Sequence, residues 1–474
     1  MRRVLIASNR VPPLDGDSRA GGLAIALRPV LAERGGLWLG WSGRTSASPA
    51  GRARLADAGS FAVATLDLTE QERSRYYDGM ANCALWPVLH GRLDLARFDY
   101  ADYTAYRTVN RRFADALLAE VGPTTSVWVH DYHLMPLGRM LRNRCVRGPI
   151  GFFLHVPFPP AETFAAMPWA LELVDDLAAY DLVGFQTRAC VQNFLDFVER
   201  HRLGRRVGED LVTIGWTTVR VGAFPVGADT HGFAALAASP AVAARAARLR
   251  ATAGSPLTIA SVDRLDYSKG LAERFRTVET LLERHPEWAG QATLFQIAAP
   301  SRLLVPEYRA IQGELEALSG RINARFGMVD WTPIRLMHRT VDHAQVAALL
   351  RASRVGMVTP LRDGMNLVAK EFVAAQDPDD PGVLVLSRFA SAAEELPTAL
   401  QVNPHDVEAT ARELRTALQM PLDERRERWR TMMEHLAVHD VHRWGRTFLE
   451  TLSNSRSGAP ANRPAPTGRE ACMA

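Results

Sequence analysis

Residues 261–270, SVDRLDYSKG, decide the fold class of this chain. They begin at the end of the apolar run 257–262 and lead into the amphipathic stretch 271–284, which is the order strand, loop, helix. In doubly wound parallel sheets, ligands bind at the carboxyl ends of the strands, and a helix N-terminus next to a glycine favours phosphate. The stretch therefore predicts an α/β fold in which Arg264 and Lys269 bracket a diphosphate. Two surface cations at a helix start would give the same spacing.

A second segment, residues 359–371 (TPLRDGMNLVAKE), repeats this layout. A proline and a glycine bend the chain, which leaves the amides of Asn366 and Leu367 at a helix start, where they can receive phosphate or sugar oxygens. Glu371 follows inside the predicted helix and could accept both hydroxyls of a ribose. The alternative is that this carboxylate pairs with a neighbouring cation.

Polar residues also end two predicted strands of the first half, within residues 128–133 (WVHDYH) and 151–159 (GFFLHVPFP). Three histidines and an aspartate invite a metal site, but His130 and His133 flank a strand end where their side chains diverge. His155 is better explained as a hydroxyl-binding group at the cleft. A satisfied core histidine is the alternative.

Four further residues suit a phosphorylated sugar. Arg10 follows the first predicted strand, a glycine pair ends at Gly22, and Tyr77 and Trp86 lie in an aromatic stretch. Arginine and backbone amides bind phosphate, and aromatic faces pack against sugar rings. Aromatic residues alone more often belong to a core.

Short apolar runs alternate with amphipathic stretches, which predicts parallel sheets whose strands are buried on both faces. The predicted strands are 4–7, 127–129, 150–154, 182–185, 257–262, 293–297, 355–358 and 383–386. The predicted helices include 109–119, 134–142, 190–200, 271–284, 307–318, 345–351 and 367–375. With 474 residues the chain exceeds the ~250 that one core supports. We therefore expect two Rossmann-like domains, 1–229 completed by a helix at 441–454 and 230–440, with a disordered tail at 455–474.

Charge and hydropathy exclude other classes of protein. The net charge of +4 is scattered along the chain, which argues against nucleic-acid binding. No uncharged run approaches the ~18 residues of a membrane span, so we expect a soluble, cytoplasmic protein. Lys269 and Lys370 are the only lysines in the sequence, and all other basic residues among Lys and Arg are arginines. This suggests that a compact ammonium is needed at these two positions.

Several ordered motifs resemble those of the trehalose-6-phosphate synthase family, and the resemblance runs from Arg3 to about Leu452. They are residues 40–43, 85–87, 129–134, 151–159, 264–270 and 358–371. The resemblance implies a GT-B fold, in which two Rossmann-like domains face a central cleft. It also implies retaining transfer of glucose from UDP-glucose to glucose 6-phosphate, giving α,α-trehalose 6-phosphate and UDP. No metal and no cofactor are expected, and family members commonly form homo-oligomers.

The resemblance also assigns roles to residues at matching positions. The implied acceptor-binding residues are Arg10, Gly22, Trp41, Tyr77, Trp86, Asp131 and Arg302. The implied donor-binding residues are Arg264, Lys269, Ile297, Val341, Asp363, Asn366, Leu367, Val368 and Glu371. The implied catalytic residues are Arg264, Lys269, Asp363 and His155, of which the last two hold glucose hydroxyls. Val341 departs from the family pattern, in which phenylalanine is common near the base, so a base other than uracil stays open.

Retention favours attack on the face from which the nucleotide leaves, because no motif supplies a carboxylate nucleophile beside the anomeric carbon. Two alternatives remain. The chain could transfer glucose to another phosphorylated polyol, such as glycerol 3-phosphate, or it could be a non-catalytic sugar-phosphate sensor on the same fold.

Overall fold

The computed structural model describes residues 3–12, 22–48, 52–302 and 305–455. The chain divides into two compact units. The first comprises Met1–Pro225 with Trp444–Ala474, and the second comprises Val226–Arg443. The division falls just before the boundary expected near Asp229. From residue 456 onward, the tail predicted at 455–474 lies outside the described residues.

The described part of the first unit contains a ten-stranded sheet in the order β3-β4-β2-β1-β5-β6-β7-β10-β9-β8. Its strands are β1 (Val4–Arg10), β2 (Leu37–Thr45), β3 (Arg54–Asp57), β4 (Ala62–Leu68), β5 (Ser126–His130), β6 (Ile150–Phe153), β7 (Leu182–Phe185), β8 (Gly204–Arg206), β9 (Leu211–Ile214) and β10 (Thr217–Ala223). The central strands are parallel, and antiparallel pairs close both edges.

Helices cover this sheet. They are α1 (Gly22–Arg34), α2 (Glu70–Glu72), α3 (Trp86–Leu89), α4 (Tyr100–Leu118), α5 (Leu137–Asn143), α6 (Ala161–Ala165), α7 (Ala170–Leu177) and α8 (Arg188–Arg200). A π-helix, Arg73–Leu85, joins α2 to α3. Short 3₁₀ turns lie at Leu93–Leu95 and Tyr132–Leu134.

The second unit contains a six-stranded parallel sheet in the order β13-β12-β11-β14-β15-β16. This is the 3-2-1-4-5-6 order of a dinucleotide-binding fold. Its strands are β11 (Leu257–Arg264), β12 (Ala292–Ala299), β13 (Ile334–Met337), β14 (Val355–Val358), β15 (Val383–Ser387) and β16 (Leu400–Val402). Its helices are α9 (Thr230–Ala238), α10 (Pro240–Thr252), α11 (Leu271–Arg284), α12 (Pro306–Phe326), α13 (His343–Ala352), α14 (Leu367–Ala375), α15 (Val407–Gln419) and α16 (Leu422–Val438). Its 3₁₀ turns are Tyr267–Lys269, Pro286–Trp288 and Ser391–Glu394.

The last helix, α17 (Val441–Asn454), runs from the end of the second unit into the first. Its side chains Trp444 and Phe448 pack on Trp128 of β5, with ring centroids 4.9 Å and 4.5 Å away. Gly151 and Gly184 of the neighbouring strands leave room for Phe448, because a Cβ at either position would lie under 3.0 Å from its ring.

The predicted α/β class with two parallel sheets is confirmed. The central strands of both sheets are buried along their length, which explains why they appear as continuous apolar runs in the sequence.

Candidate active site

In the second unit, β11 and β14 are neighbours at the point where the strand order reverses. In such sheets a ligand binds outside the carboxyl ends of these two strands. The loop after β11 carries Lys269, and the loop after β14 carries Asp363. The two loops meet at Gly270, where φ is +63° and a Cβ would lie 2.4 Å from the carbonyl oxygen of Thr359. This close approach requires glycine.

An ion pair joins the two loops. The Nζ atom of Lys269 lies 2.6 Å from Oδ2 of Asp363, and Nδ2 of Asn366 donates to the same oxygen at 2.9 Å. Asn366 has a left-handed φ of 50° and caps α14 by accepting the N–H of Ala369. The structure therefore brings three predicted donor residues together at a helix start, where the first N–H groups, including that of Leu367, have no partner within the helix.

Asp266 is a buried anion at the centre of the predicted phosphate-binding cations. Its Oδ2 accepts hydrogen bonds from Nη1 of Arg302 and from the hydroxyl of Tyr308, both at 3.2 Å. Burial opposes ionisation, but Arg302, Arg264 and Lys269 together lower the pKa of Asp266 below its usual value. Asp266 had no predicted role, although it lies within the stretch that decides the fold.

Arg274 of α11 is fully buried behind these loops and was also missed. Its Nη1 lies 2.7 Å from Oδ2 of Asp263 and 2.8 Å from Oε1 of Gln296, and its Nε donates to Thr359 at 3.1 Å. Its Nη2 donates to the carbonyl oxygen of Lys269. One guanidinium thus links a residue of β11, a residue of β12 and the residue after β14 to the loop that carries Lys269. The sequence contains no indication of this network, because a single arginine in a predicted helix is usually exposed.

Glu371 lies half-buried in α14, and burial raises the pKa of its carboxyl group to about 7. Ile297 of β12 is buried in the hydrophobic cluster against which Val341 and Val368 pack. The structure therefore brings these three apolar residues, which the resemblance implies bind the donor, into one cluster.

In the first unit the strand order reverses between β1 and β5. Arg10 ends β1, and Asp131 directly follows β5. The Asp131 backbone has an unusual φ of 73°, and its Oδ1 accepts the N–H of His155 at 3.2 Å, just beyond β6. Three predicted residues thus lie at the carboxyl ends of adjacent strands, and backbone strain of this kind is concentrated at functional sites.

Arg10 is exposed, and its guanidinium carbon lies 5.7 Å from the ring centroid of Trp41. A Cβ at Gly43 would come within 2.3 Å of this guanidinium, so glycine leaves the space that Arg10 occupies. Gly22, for which the resemblance implies acceptor binding, is the first residue of α1. Residues 13–21 before it lie outside the described residues.

The π-helix determines where Tyr77 and Trp86 point. In an α-helix their spacing would be about two and a half turns, which places two side chains on opposite faces. The wider π turn, with i→i+5 hydrogen bonds, shortens the same spacing to about two turns. The N–H of Trp86 indeed donates to the carbonyl of Ala81. Both side chains therefore lie on one face of the helix.

The ring contacts agree with this geometry. Tyr77 lies edge-on to Trp41 at 5.5 Å and stacks on His133 at 6.0 Å, whereas Trp86 lies 5.9 Å from Tyr132. The aromatic acceptor candidates thus form a continuous wall in the first unit. Among the acceptor candidates, Arg302 alone belongs to the second unit.

Within the residues that the structure describes, no three His, Cys, Asp or Glu side chains form a group that could hold a metal ion. None of the helices in that part of the chain has the length and apolar character that a membrane span requires.

The sequence model of glycosyltransferase family 20 matches residues 7–454. The chain belongs to glycosyltransferase family 20. A trehalose-6-phosphate synthase of Sinorhizobium fredii is 46% identical over 460 residues, which cover 96% of this chain and 99% of that protein.

Two solved structures similar to this chain carry ligands. A UDP-forming α,α-trehalose-phosphate synthase of Burkholderia xenovorans in complex with glucose-6-phosphate is 43% identical, with a TM-score of 0.92 over 95% of this chain and 100% of that one. A trehalose-6-phosphate protein from E. coli bound with UDP-2-fluoro glucose is 41% identical, with a TM-score of 0.89 over 95% and 98% of the two chains. The family resemblance and the predicted fold of two parallel-sheet α/β domains are therefore confirmed.

Proposed function

We propose that this family 20 chain is a retaining glucosyltransferase. It transfers glucose from UDP-glucose to glucose 6-phosphate and releases α,α-trehalose 6-phosphate and UDP. The observation that carries the proposal is the set of cations around Asp266, where Arg264, Lys269 and Arg302 lie at the carboxyl end of the second sheet. The ligands named for the Burkholderia and E. coli relatives, a sugar phosphate and a UDP-sugar analogue, match this charge.

The proposed donor site lies on the second unit. Arg264 and Lys269 bind the diphosphate, with the amides of Asn366 and Leu367 as further donors. Glu371 accepts the ribose hydroxyls. The base lies against the apolar cluster described above, which contains Ile297, Val341 and Val368. Glucose hydroxyls are held by Asp363 and His155.

The proposed acceptor residues bind a phosphorylated hexose. Arg10, Tyr77 and Arg302 take the phosphate, and Trp86 and Asp131 take the sugar. Trp41 supports Arg10 and Tyr77 through the ring contacts given above, and Gly22 belongs to the segment next to the acceptor.

A front-face reaction suits the carboxylates that are present. Asp363 contacts Lys269 and Asn366, and Asp131 accepts the backbone N–H of His155. Both carboxylates therefore already have hydrogen-bond partners, and we assign neither of them as a nucleophile. In the proposed step the acceptor hydroxyl oxygen bonds to the anomeric carbon as the bond to the β-phosphate breaks. The hydroxyl proton passes to a β-phosphate oxygen. Arg264 and Lys269 stabilise the charge that develops on the departing UDP.

We further propose that no metal or cofactor takes part, and that Arg264 and Lys269 supply the positive charge at the leaving group. We also propose that the protein is a cytoplasmic homo-oligomer and that it binds neither nucleic acid nor membrane.

A donor-by-acceptor activity matrix tests the function. UDP-, ADP- and GDP-glucose are each combined with glucose 6-phosphate, glycerol 3-phosphate and buffer, and nucleotide release is followed. We expect turnover with UDP-glucose and glucose 6-phosphate, and an α,α-linked product by NMR. Preference for glycerol 3-phosphate would establish the alternative acceptor, and binding by calorimetry without UDP release would establish a sensor.

A further inference from the structure

Two buried imidazoles in the first unit share one hydrogen bond. Nδ1 of His130, at the end of β5, lies 2.9 Å from Nε2 of His155, just beyond β6. The two residues are 0% and 2% exposed. The hydrogen bond therefore links a side chain proposed to bind a glucose hydroxyl to one that has no assigned role.

Both rings are neutral near pH 7. Burial lowers the pKa of His130 well below its usual value, with a further contribution from His155, and burial lowers the pKa of His155 to about 3. A neutral imidazole carries one proton, so one of the two facing nitrogens donates and the other accepts.

The surroundings of His130 decide which nitrogen donates. Its Nε2 is buried and has no hydrogen-bond partner among the described residues. The neighbouring rings are Trp128, Trp444 and Phe153, with centroids 4.5, 6.2 and 6.4 Å away. Indole nitrogens only donate, and a phenyl ring offers no polar atom.

A proton on Nε2 of His130 would therefore be a buried N–H without an acceptor, which is rare and costly in proteins. The proton belongs on Nδ1 of His130, which then donates to Nε2 of His155. His155 must carry its own proton on Nδ1.

We infer that His130 is a positioning residue that fixes His155 as its Nδ1–H tautomer, so that His155 offers a hydrogen-bond donor to a hydroxyl of the donor sugar. This inference rests on the proposed function. Asp131 holds the backbone N–H of His155, while His130 holds its ring, so two consecutive residues fix both the position and the proton of one side chain.

The kinetic test compares His130→Phe, which keeps a ring but loses the donor, with His130→Asn, whose amide N–H can replace Nδ1–H. We expect His130→Phe to lower kcat/KM for UDP-glucose about tenfold, the value of one hydrogen bond, and to leave the KM for glucose 6-phosphate unchanged. His130→Asn should recover most of the loss.

A double-mutant cycle with His155→Ala separates positioning from packing. If His130 acts through His155, then His130→Phe has no further effect on kcat/KM in the His155→Ala background. Equal, additive losses in both backgrounds would overturn the inference, as would a lowered Tm with unchanged kinetics. Full activity of His155→Ala would overturn it as well, while the transferase function stands.

Nitrogen NMR of the unsubstituted protein, labelled with ¹⁵N-histidine, gives a readout that does not depend on the variants folding. Signals of the two rings are assigned by their loss in His130→Asn and His155→Ala. We expect both rings to show a protonated Nδ1 and a bare Nε2. A protonated Nε2 on His130 would refute the inference, and lack of UDP release by the wild type would refute the function without changing this spectrum.

Discussion

The ammonium of Lys269 lies 2.6 Å from the carboxylate of Asp363, and the two side chains are 10% and 13% exposed. The pair lies where the strand order of the second sheet reverses, because Lys269 follows β11 and Asp363 follows the neighbouring strand β14. Lys269, proposed to bind the diphosphate, and Asp363, proposed to bind glucose, thus hold each other in place without substrate. Such preorganised charge lowers the cost of reorganisation in the reaction.

We expect Lys269→Ala and Arg264→Ala each to lower kcat by ~10²-fold or more, the usual cost of removing one preorganised group that stabilises charge. Initial rates of UDP release measure this. Arg276→Ala is the matched control, since Arg276 is an exposed arginine on the adjacent helix α11 and should keep the wild-type rate. Wild-type turnover in Lys269→Ala or Arg264→Ala would remove the leaving-group role.

Arg302→Ala should raise the KM for glucose 6-phosphate by about 10- to 100-fold, the value of a charge-assisted hydrogen bond, with little change for UDP-glucose. Arg302 is held by Asp266 and Tyr308 and so is positioned in advance. Steady-state kinetics with each substrate varied in turn distinguish the two constants. An equal rise in both would contradict the assignment to the acceptor phosphate.

Arg274→Met should destabilise the second unit by about 3–5 kcal/mol, because it leaves the carboxylate of Asp263 buried without its cationic partner. Urea unfolding followed by tryptophan fluorescence measures the loss. Arg276→Met, which removes an exposed ion pair with Glu314, should cost less than about 1 kcal/mol. Similar midpoints for the two variants would show that the buried guanidinium is dispensable.

Glu371 should make stability fall as pH rises from about 4.5 to 7. Burial raises its folded pKa from 4.5 to about 7, so in this range the folded chain keeps a proton that the unfolded chain releases. The free energy of unfolding relative to Glu371→Gln should therefore be highest below pH 4.5 and lowest above 7. Glu427→Gln, at an exposed position, is the control. A wild-type-minus-variant difference that is flat with pH would contradict the prediction.

The sequence was most informative where a helix cap and apolar periodicity coincide. The predicted helices 271–284 and 367–375 match α11 and α14 at both ends, since Gly270 and Asn366 begin them with left-handed backbones. The strands 182–185 and 355–358 also match, because burial on both faces leaves an uninterrupted apolar run.

The rest depends on contacts between distant segments. The burial of Arg274 requires Asp263 and Gln296 from two strands, and the tautomer of His155 requires His130 from another. No single stretch of sequence encodes these relationships. The strand β2 was missed because its second half is polar and partly exposed, which obscures the apolar pattern.

The π-helix Arg73–Leu85 has a practical meaning for protein engineering. Engineering for thermostability commonly replaces irregular backbone with ideal geometry, because proteins with idealised helices are usually more stable. Here, converting the π-helix to an α-helix would rotate the Trp86 indole roughly half a turn away from the Tyr77 phenol. The enzyme would become more stable but would lose one wall of the surface proposed to bind the acceptor sugar. A stabilised variant of this protein should therefore inherit the irregular segment unaltered.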